Sequence, residues 1–349
     1  MTHLARQEEQ TRIHEDARRQ LQHLPKVELH LHLEGMMRPA TLRSLCEKNQ
    51  VPLPAHVQAS EAHYFATFDE FVYTYHRICQ ALAQPGDFAL LMADVAAYLR
   101  RNHILYAEIA WTPFLYLNRG LRFAEVMEVL NEALEAHNIA DRVHFLIDVQ
   151  RDHGLEVGTR VFEQVFATHN QWRIAGVGLT GQEEGFPPAE YRQLYHQARE
   201  CGLGTTAHAG EYGTAKDIWQ GVQALGVQRI GHGIRAVHDR ALLDILANQQ
   251  IHLEICPTSN VRLQRVLTYS AHPVRTLWQA GIPLGLNTDN PALFGIDLSD
   301  EYHKVMEHQG FGLREMYQSL LHSVQASFLS AERKHALRQQ LTQGWRDVC

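Results

Sequence analysis

Apolar and polar residues alternate from Val27 to Glu34, in the middle of the stretch LPKVELHLHLEG at positions 24–35. The polar members of this alternation are Glu28, His30, His32 and Glu34. A period of two is typical of a β-strand, in which successive side chains point to opposite faces. His30 and His32 therefore share one face, from which two imidazoles can reach one ion of zinc or a similar divalent metal. Because the chain holds 23 histidines, the alternative is a half-exposed strand that carries two of them by chance.

Seven further short apolar runs follow, and helix-like segments separate most of them. The predicted strands are Ile104–Trp111, Val143–Gln150, Ile174–Gly181, Gly204–Glu211, Arg229–Gly233, His252–Ser259 and Pro283–Asp289. The predicted helices are Phe123–His137, Gly158–His169, Pro188–Cys201, Ala215–Leu225, Asp239–Gln249 and Ala271–Ala280. Eight strands that alternate with helices predict an α/β fold, a (β/α)8 TIM barrel formed by residues 1–349 as one domain. A doubly wound open sheet is the alternative architecture.

Two helical additions to the barrel are predicted. Residues 1–24 are polar and charged and are expected to form an N-terminal helical extension. Residues 36–101 form an insertion after the first strand, in which Phe65, Phe68, Phe71 and Tyr75 recur at helical spacing. This aromatic stripe predicts a helix face packed on the core. The alternative is a lid over a binding site, because the insertion begins directly after the histidine pair.

Unusual polar residues fall at the ends of the predicted strands. They are His30, His32, Glu34, His208, Glu211, His232, Thr258, Ser259, Asn260, Asp289 and Asn290. Predicted strand four ends in LTGQEE, where Gly181 offers its backbone. In a barrel of this type, chemistry takes place at the carboxyl ends of the strands. Each residue alone is typical of a turn or of a satisfied polar side chain. Because several strands bring such residues to one barrel mouth, we expect an active site there.

The residue types at this mouth predict a metal-dependent hydrolase. The candidate ligands are His30, His32, His208 and Asp289. This set leaves one position on the metal for water, whose pKa a bound divalent ion lowers toward ~7. Glu211 is placed to transfer protons without binding the metal, and His232 to orient the resulting hydroxide or to stabilise its charge. The chain contains no Gly-x-Ser-x-Gly elbow and no catalytic cysteine motif that would indicate another nucleophile.

Composition narrows the possible partners. The chain is 45% hydrophobic and 20% charged with a net charge of −7, which is ordinary for a globular protein. The absence of a long basic run argues against a nucleic-acid partner. No apolar stretch reaches the ~18 residues of a membrane span, and the N-terminus has no signal-peptide core. The five cysteines are scattered without a CxxC pair, so a reducing, cytoplasmic setting is expected. The expected partner is a small-molecule substrate.

Six motifs resemble those of the adenosine deaminase family within the amidohydrolase superfamily. They are KVELHLHLEG, VGLTGQEE, TAHAGE, RIGHG, EICPTSN and LNTDNPALF. They follow the order and spacing of that family from about Pro25 to Phe328, which is nearly the whole chain. The resemblance implies a zinc-dependent (β/α)8 barrel, with one ion per chain, that replaces an exocyclic purine amine with oxygen. Deaminases with an HxE and PCxxC site are excluded, because this chain has no PCxxC.

The resemblance also implies a role for individual residues. The implied metal ligands are His30, His32, His208 and Asp289, the catalytic residues Glu211, His232 and Asp289, and the substrate-binding residues His32, Glu34, Gly181 and Asn290. Glu211 is implied as the proton shuttle to purine N1, and His232 as the partner of the attacking hydroxide. A backbone contact from Gly181 to purine N3 and recognition of N7 by Asn290 complete the set.

Two residues depart from the family pattern. Asn290 stands where well-studied members have a second aspartate, and Glu34 where many have an aspartate that contacts ribose. The sequence favours hydrolysis of adenosine to inosine and ammonia. The alternatives within the class are adenine, an N6-substituted adenine and aminodeoxyfutalosine. The alternative from a different class is a barrel without catalysis that binds a purine or a metal, which the complete ligand set and Glu211 argue against.

Overall fold

Eight parallel strands form a barrel in the computed structural model of the chain, which describes residues 16, 18–54, 57 and 68–348. The strands are β1 Lys26–His32, β2 Ile104–Trp111, β3 Val143–Gln150, β4 Ile174–Thr180, β5 Gly204–Ala209, β6 Arg229–His232, β7 His252–Ile255 and β8 Leu284–Leu286. Each strand pairs with the next one in the sequence. Strand β1 is joined to the segment that follows β8 by backbone hydrogen bonds, from His32 N–H to Asp289 O at 2.9 Å and from Asp289 N–H to His30 O at 3.2 Å. The predicted TIM barrel is confirmed, and the doubly wound sheet is wrong.

Both faces of β1 are buried, so the half-exposed strand considered from the sequence is wrong. Its apolar side chains face the surrounding helices and its polar side chains face the inside of the barrel. There Glu28 accepts hydrogen bonds from the backbone and the hydroxyl of Thr288, both at 2.7 Å, and from Tyr98 at 2.9 Å. These bonds help to fix the segment after β8 beside β1.

Helices surround the barrel. They are α1 Pro39–Lys48, α2 Phe68–Ala81, α3 Asp87–Arg101, α4 Phe114–Leu117, α5 Phe123–Ala136, α6 Leu155–Thr168, α7 Arg192–Glu200, α8 Ala215–Gln220, α9 Arg240–Asn248, α10 Pro257–Arg262, α11 Val274–Gln279, α12 Pro291–Phe294, α13 Leu298–Gln309, α14 Leu313–Ala326 and α15 Ala331–Gly344. Helix α5 shows why they form, because Val126, Leu130 and Leu134 recur every four residues and are fully buried. Full burial of such a side chain contributes roughly 1.5–3 kcal/mol.

Several boundaries differ from the predicted ones. Strands β5, β7 and β8 end two, four and three residues earlier than predicted, at Ala209, Ile255 and Leu286 within predicted runs that continued to 211, 259 and 289. After β7 the chain enters α10, because Pro257 suits the first position of a helix. Thr258, Ser259 and Asn260 therefore lie in a helix, and not in a strand as predicted. Helices α13 to α15 were not predicted from the sequence.

The insertion after β1 is helical in its described parts, α1 to α3. Phe71 and Tyr75 of α2 pack against the core, as the aromatic stripe predicted. The Phe71 ring stacks on Phe294 with centroids 5.5 Å apart, so α2 lies beside the barrel mouth. The lid role stays a prediction, and Phe65 lies outside the described residues. Residues 18–23 of the predicted N-terminal helix are helical, whereas 1–15 and 17 also lie outside. Among the described helices, none has the length and apolar character needed to cross a bilayer.

Candidate active site

Three histidines and one aspartate converge at the carboxyl ends of the strands. His30 and His32 end β1, His208 lies near the end of β5, and Asp289 follows β8. His32 Nε2 lies 3.3 Å from His208 Nε2 and 3.2 Å from Asp289 Oδ1. His30 Nε2 lies 3.7 Å from the same carboxylate oxygen. One ring nitrogen from each histidine lies within 4.8 Å of those of the other two. The structure thus brings together all four predicted metal ligands.

The chemistry of these residues fits a divalent metal ion. His30 Nε2 is buried and has no hydrogen-bond partner in the described part of the chain. Its other nitrogen, Nδ1, donates to Glu254 Oε2 at 2.8 Å, the usual arrangement of a metal-binding imidazole. Burial lowers the pKa of His32 to about 4 and that of His208 well below its usual range. Both rings are therefore neutral at pH 7, as metal ligands must be. Three nitrogens and one carboxylate suit zinc.

A second group of three possible ligands consists of His30, His232 and Cys256. It shares His30 with the first group. Burial, followed by the charge of Asp289, raises the pKa of the Cys256 thiol well above its usual value. This thiol lies 3.6 Å from the Glu254 carbonyl oxygen, to which it donates. A protonated thiol is a weaker ligand than a neutral imidazole, so the set with His32 and His208 is the better metal site.

Glu254 holds His30 from behind and was missed in the sequence. Its Oε1 accepts from Arg229 Nε at 2.6 Å, and Arg229 Nη1 lies 2.6 Å from Glu108 Oε2. Burial opposes ionisation of Glu254, but Arg229 and the hydrogen bond from His30 lower its pKa to about 2. The same carboxylate helps to raise the pKa of His30 to about 10 against the effect of burial. The signal in the sequence was a glutamate inside the apolar strand HLEI of β7.

Asp289 is held in place by two donors. Ser259 Oγ donates to its Oδ2 at 2.6 Å, and Asn290 Nδ2 to its Oδ1 at 2.7 Å. Burial alone would raise the pKa of Asp289, but the neighbouring imidazoles of His30 and His32 hold it below its usual range. Its backbone φ of 64° lies in the left-handed region. Such a conformation costs a non-glycine residue about 1–3 kcal/mol and is characteristic of functional sites.

Glu211 is placed to hold and deliver a proton. Its Oε2 lies 3.5 Å from His232 Nε2, and its Oε1 is buried with no hydrogen-bond partner among the described residues. Burial, and then the nearby carboxylates of Asp289 and Glu183, raise its pKa well above its usual value. A carboxyl group with a raised pKa is suited to act as a general acid.

The loop that carries Glu211 is fixed by Glu183, another residue missed in the sequence. The Glu183 carboxylate accepts the backbone N–H groups of Gly210, Glu211 and Tyr212 at 2.6, 2.9 and 2.9 Å. Glu183 belongs to the LTGQEE motif after β4, whose glycine was predicted to be functional and whose glutamates were not. Three bonds to one carboxylate restrict the orientation of Glu211 toward the metal site.

His232 ends β6 and lies beside the ligand histidines. Its ring centroid is 4.9 Å from that of His30 and 5.2 Å from that of His208. Burial, followed by the positive charge of His30, lowers the pKa of His232 to about 3, so its ring is neutral at pH 7. The preceding Gly231 leaves room for the cluster, because a Cβ there would lie 2.9 Å from His30 Cε1.

Two predicted substrate contacts lie at the same mouth. Gly181 follows β4 with a φ of 88°, and a Cβ there would lie 2.1 Å from Asp152 Oδ1, so a side chain is excluded. Asn290 follows Asp289, and its Oδ1 is buried without a partner in the described residues. Gly35 is the close neighbour of Asn290, since a Cβ on Gly35 would lie 2.0 Å from that oxygen. The contacts of Gly181 and Asn290 with a purine stay predictions.

Glu34 lies in the turn after β1 and is fully buried. Its Oε1 accepts from Tyr116 Oη at 2.8 Å, and its Oε2 from Tyr75 Oη at 3.3 Å. Burial raises the pKa of Glu34 to about 7. Neither tyrosine was identified from the sequence as a site residue, although Tyr75 belongs to the aromatic stripe. The protein itself therefore occupies both oxygens of the carboxylate that was predicted to bind substrate.

The sequence is similar to those of known deaminases. The family model described as adenosine deaminase matches residues 25–344. An adenine deaminase from Wolinella succinogenes is 33% identical over 321 residues, which cover 89% of this chain and 95% of that protein. An adenosine deaminase from Shewanella loihica is 32% identical over 327 residues, which cover 90% of this chain and 97% of that protein.

Solved structures share the fold. The crystal structure of an adenine deaminase from Arthrobacter aurescens has a TM-score of 0.86 and 30% identity, and the match covers 93% of this chain and 100% of that one. An amidohydrolase from Burkholderia ambifaria, solved with bound zinc, has a TM-score of 0.87. Its identity is 22%, over 95% of this chain and 93% of that one, so this second likeness concerns the fold.

Proposed function

The chain belongs to the adenosine deaminase family, and we propose that it hydrolyses the 6-amino group of adenine, giving hypoxanthine and ammonia. The observation that carries this proposal is the position of Glu211 beside the His30, His32, His208 and Asp289 cluster, with its pKa raised well above the usual value. A carboxyl group with a raised pKa beside a metal site suits hydrolysis at a ring carbon next to a basic nitrogen.

The four clustered side chains would hold one divalent ion, for which zinc is the best match in ligand type. The zinc bound to the Burkholderia ambifaria protein supports this choice. When bound, such an ion supplies a water molecule of lowered pKa. His30 is oriented for this task by Glu254, and Asp289 by Ser259 and Asn290.

The chain's own residues move the protons. As the water oxygen bonds to purine C6, Glu211 transfers its proton to N1, and the C6=N1 bond becomes a single bond. Glu211 then takes the proton that the water loses and passes it to the amino group. The C6–N bond breaks as Glu211 takes the remaining proton of the C6 hydroxyl group, so ammonia leaves, C6 becomes a carbonyl carbon and Glu211 is protonated again. His232, 3.5 Å from Glu211 Oε2, contacts the attacking oxygen on one side.

The state of Glu34 favours the free base over the nucleoside. Glu34 stands where a ribose-contacting aspartate is expected, but it is fully buried and hydrogen bonds from Tyr75 and Tyr116 hold both of its oxygens. The adenine deaminases from Wolinella succinogenes and Arthrobacter aurescens support the same choice. Adenosine, favoured by the sequence alone, is the second candidate, which the Shewanella loihica relative supports.

A substrate panel tests the proposal. Zinc-loaded protein is assayed for ammonia release from adenine, adenosine, deoxyadenosine, an N6-alkyl adenine and aminodeoxyfutalosine. We expect adenine to have the highest kcat/KM. A higher value for adenosine would select the second candidate, and a higher value for another compound would move the proposal to that substrate. If none of the five is converted, the proposed deaminase function is wrong and the binding barrel without catalysis remains.

A further inference from the structure

Two more buried polar side chains lie behind His232, on the side away from Glu211. Asn260 lies in α10 and is fully buried. His272 precedes α11 and is 3% exposed. Together with His232 they form a chain of hydrogen bonds that joins the end of β6 to α10 and to the start of α11. Both residues are buried, but among the described residues neither forms a side-chain hydrogen bond with the candidate metal ligands.

At the end of this hydrogen-bond series farthest from His232, a backbone group fixes which atoms donate and which accept. The N–H of Val274 donates to His272 Nδ1 at 3.1 Å. A backbone N–H can only donate, so Nδ1 must carry the lone pair. Burial lowers the pKa of His272 to about 3, which keeps the ring neutral at pH 7. A neutral imidazole with its lone pair on Nδ1 has its proton on Nε2.

That proton orients the amide of Asn260. His272 Nε2 lies 3.1 Å from Asn260 Oδ1, and a carbonyl oxygen can only accept. The amide nitrogen therefore faces the other way, where Nδ2 lies 3.2 Å from His232 Nδ1. An amide nitrogen can only donate, so His232 Nδ1 carries a lone pair. The single ring proton of His232 is then on Nε2, the nitrogen that lies 3.5 Å from Glu211 Oε2.

We propose that His272 and Asn260 are positioning residues that hold His232 in the tautomer with its proton on Nε2. His232 then presents a hydrogen-bond donor to the attacking oxygen and is not a base that removes its proton. The effect on catalysis rests on the proposed deaminase function, whereas the tautomer itself does not.

The tautomer decides which residue receives the proton of the attacking water. With Nε2 protonated, His232 can donate to a lone pair of the water oxygen but cannot take its proton, so the proton goes to Glu211. With the proton on Nδ1, His232 would present a lone pair to the same water and would compete with Glu211 for its proton. A wrong tautomer of a catalytic histidine is known to be costly when all other geometry is kept.

If the hydrogen bonds between His232, Asn260 and His272 had a purely structural role, they would only satisfy buried polar groups between β6, α10 and α11. Asn260→Asp separates the two roles because it keeps the shape of the side chain. A carboxylate can accept from His272 Nε2, as the amide oxygen does, but on its other side it accepts where the amide donated. The ring proton of His232 must then move to Nδ1. Asn260→Ala, which removes the partner without reversing it, serves as the comparison for the loss of the hydrogen bond alone.

The experiment reads the tautomer directly. Two-bond proton–nitrogen correlation spectra are recorded on protein labelled with 15N-histidine, both metal-free and zinc-loaded, and His232 is assigned with the His232→Gln variant. In wild type we expect Nδ1 of His232 to be unprotonated and Nε2 protonated. In Asn260→Asp we expect the two to exchange. With zinc and adenine, kcat should fall by at least ~10-fold, less than the ~100-fold low end of general acid–base effects because Glu211 is retained, with KM changed less than kcat.

Three results would overturn the proposal. They are a wild-type His232 protonated at Nδ1, an Asn260→Asp variant that keeps the wild-type tautomer, and a reversed tautomer with kcat within about twofold of wild type. If wild type converts no aminopurine, the proposed function fails, and the spectra alone still decide whether Asn260 and His272 set the tautomer.

Discussion

The side-chain amide of Asn290 donates a hydrogen bond to Oδ1 of Asp289, its neighbour in sequence, across 2.7 Å. This bond uses one of the two N–H groups of the amide and leaves the second for a substrate. An aspartate at position 290 would instead place a second carboxylate beside the candidate ligand. The asparagine found here thus links the metal ligand to the predicted purine N7 contact without adding a charge.

From this link we predict that Asn290→Ala lowers kcat/KM on adenine. The loss should correspond to roughly 1–3 kcal/mol of transition-state stabilisation, the usual cost of leaving a buried polar group unpaired. The N7 atom has a lone pair and no proton in the 9H tautomer, so its partner must donate. On 7-deazaadenine, which has no nitrogen at that position, the same substitution should cost much less. Equal losses on both compounds would mean that Asn290 does not bind N7.

We predict that Gly35→Ala impairs the same contact from the opposite side. The added Cβ would lie 2.0 Å from Asn290 Oδ1, so the amide must move. The loss of kcat/KM should be at least as large as that of Asn290→Ala, and the double variant should lose little more than Gly35→Ala alone, because the two changes act on one contact. Gly86→Ala is the control, since its φ is −61° and nothing lies within 4 Å of the added Cβ. Additive losses in the double variant would contradict the shared contact.

His208→Ala is expected to remove stoichiometric metal binding. Wild-type protein should bind one divalent ion per chain by elemental analysis. Metal added to the metal-free wild type should raise its free energy of unfolding, by about 2.7 kcal/mol at 100 times the Kd, whereas the variant should gain much less. His196→Ala, at an exposed histidine far from the cluster, is the control. A His208→Ala variant with full metal content and full turnover would show that the ligand assignment is wrong.

Glu211→Gln is expected to keep the metal and the fold while losing turnover. A carboxyl group can give its proton to N1, but an amide cannot, and steps of this kind contribute ~100- to 10,000-fold to the rate. Metal content and thermal unfolding of the variant provide the check on structure. Glu200→Gln, at an exposed glutamate, controls for the change of charge. Turnover of Glu211→Gln within about threefold of wild type would exclude the proton-transfer role.

Zinc binding to the metal-free protein is expected to release a proton at pH 7.5. The pKa of His30 is raised to about 10 in the metal-free protein, so the ring is protonated below that pH. A ligand imidazole must be neutral, so the ion displaces this proton, and zinc affinity should fall as the pH is lowered. Calorimetric titrations in buffers of different ionisation enthalpy measure the number of protons released. A heat of binding that is independent of the buffer would contradict the protonated state of His30.

The barrel and its four candidate ligands could be predicted because they depend on local pattern. Alternation in β1 places His30 and His32 on one face, and the parallel arrangement brings all strand ends to one rim. The supporting residues could not be predicted in this way. Glu254 acts on His30 from 224 residues away, and Tyr116 binds Glu34 from 82 residues away. Such pairings depend on side-chain packing inside the closed barrel, which no local period encodes.

The ends of some strands were also predicted incorrectly, because the chain changes from strand to helix within a predicted strand. Thr258, Ser259 and Asn260 continue the apolar run of β7, yet Pro257 starts a helix there. The side chains of Thr258, Ser259 and Asn260 then face Tyr269, Asp289 and His232 in turn. The sequence identified these residues as polar groups near the site, but the direction of each side chain depends on the helix and not on the strand.

The pairing of β1 with β8 has a consequence for the order of events during protein synthesis. His30 and His32 are synthesised more than 250 residues before Asp289 and the strand that precedes it. A nascent chain therefore exposes a pair of imidazoles long before the carboxylate that completes the set can join them. Metal captured early would be held by fewer ligands and exchange more easily. The closing of the barrel would then be the step that completes the proposed metal site.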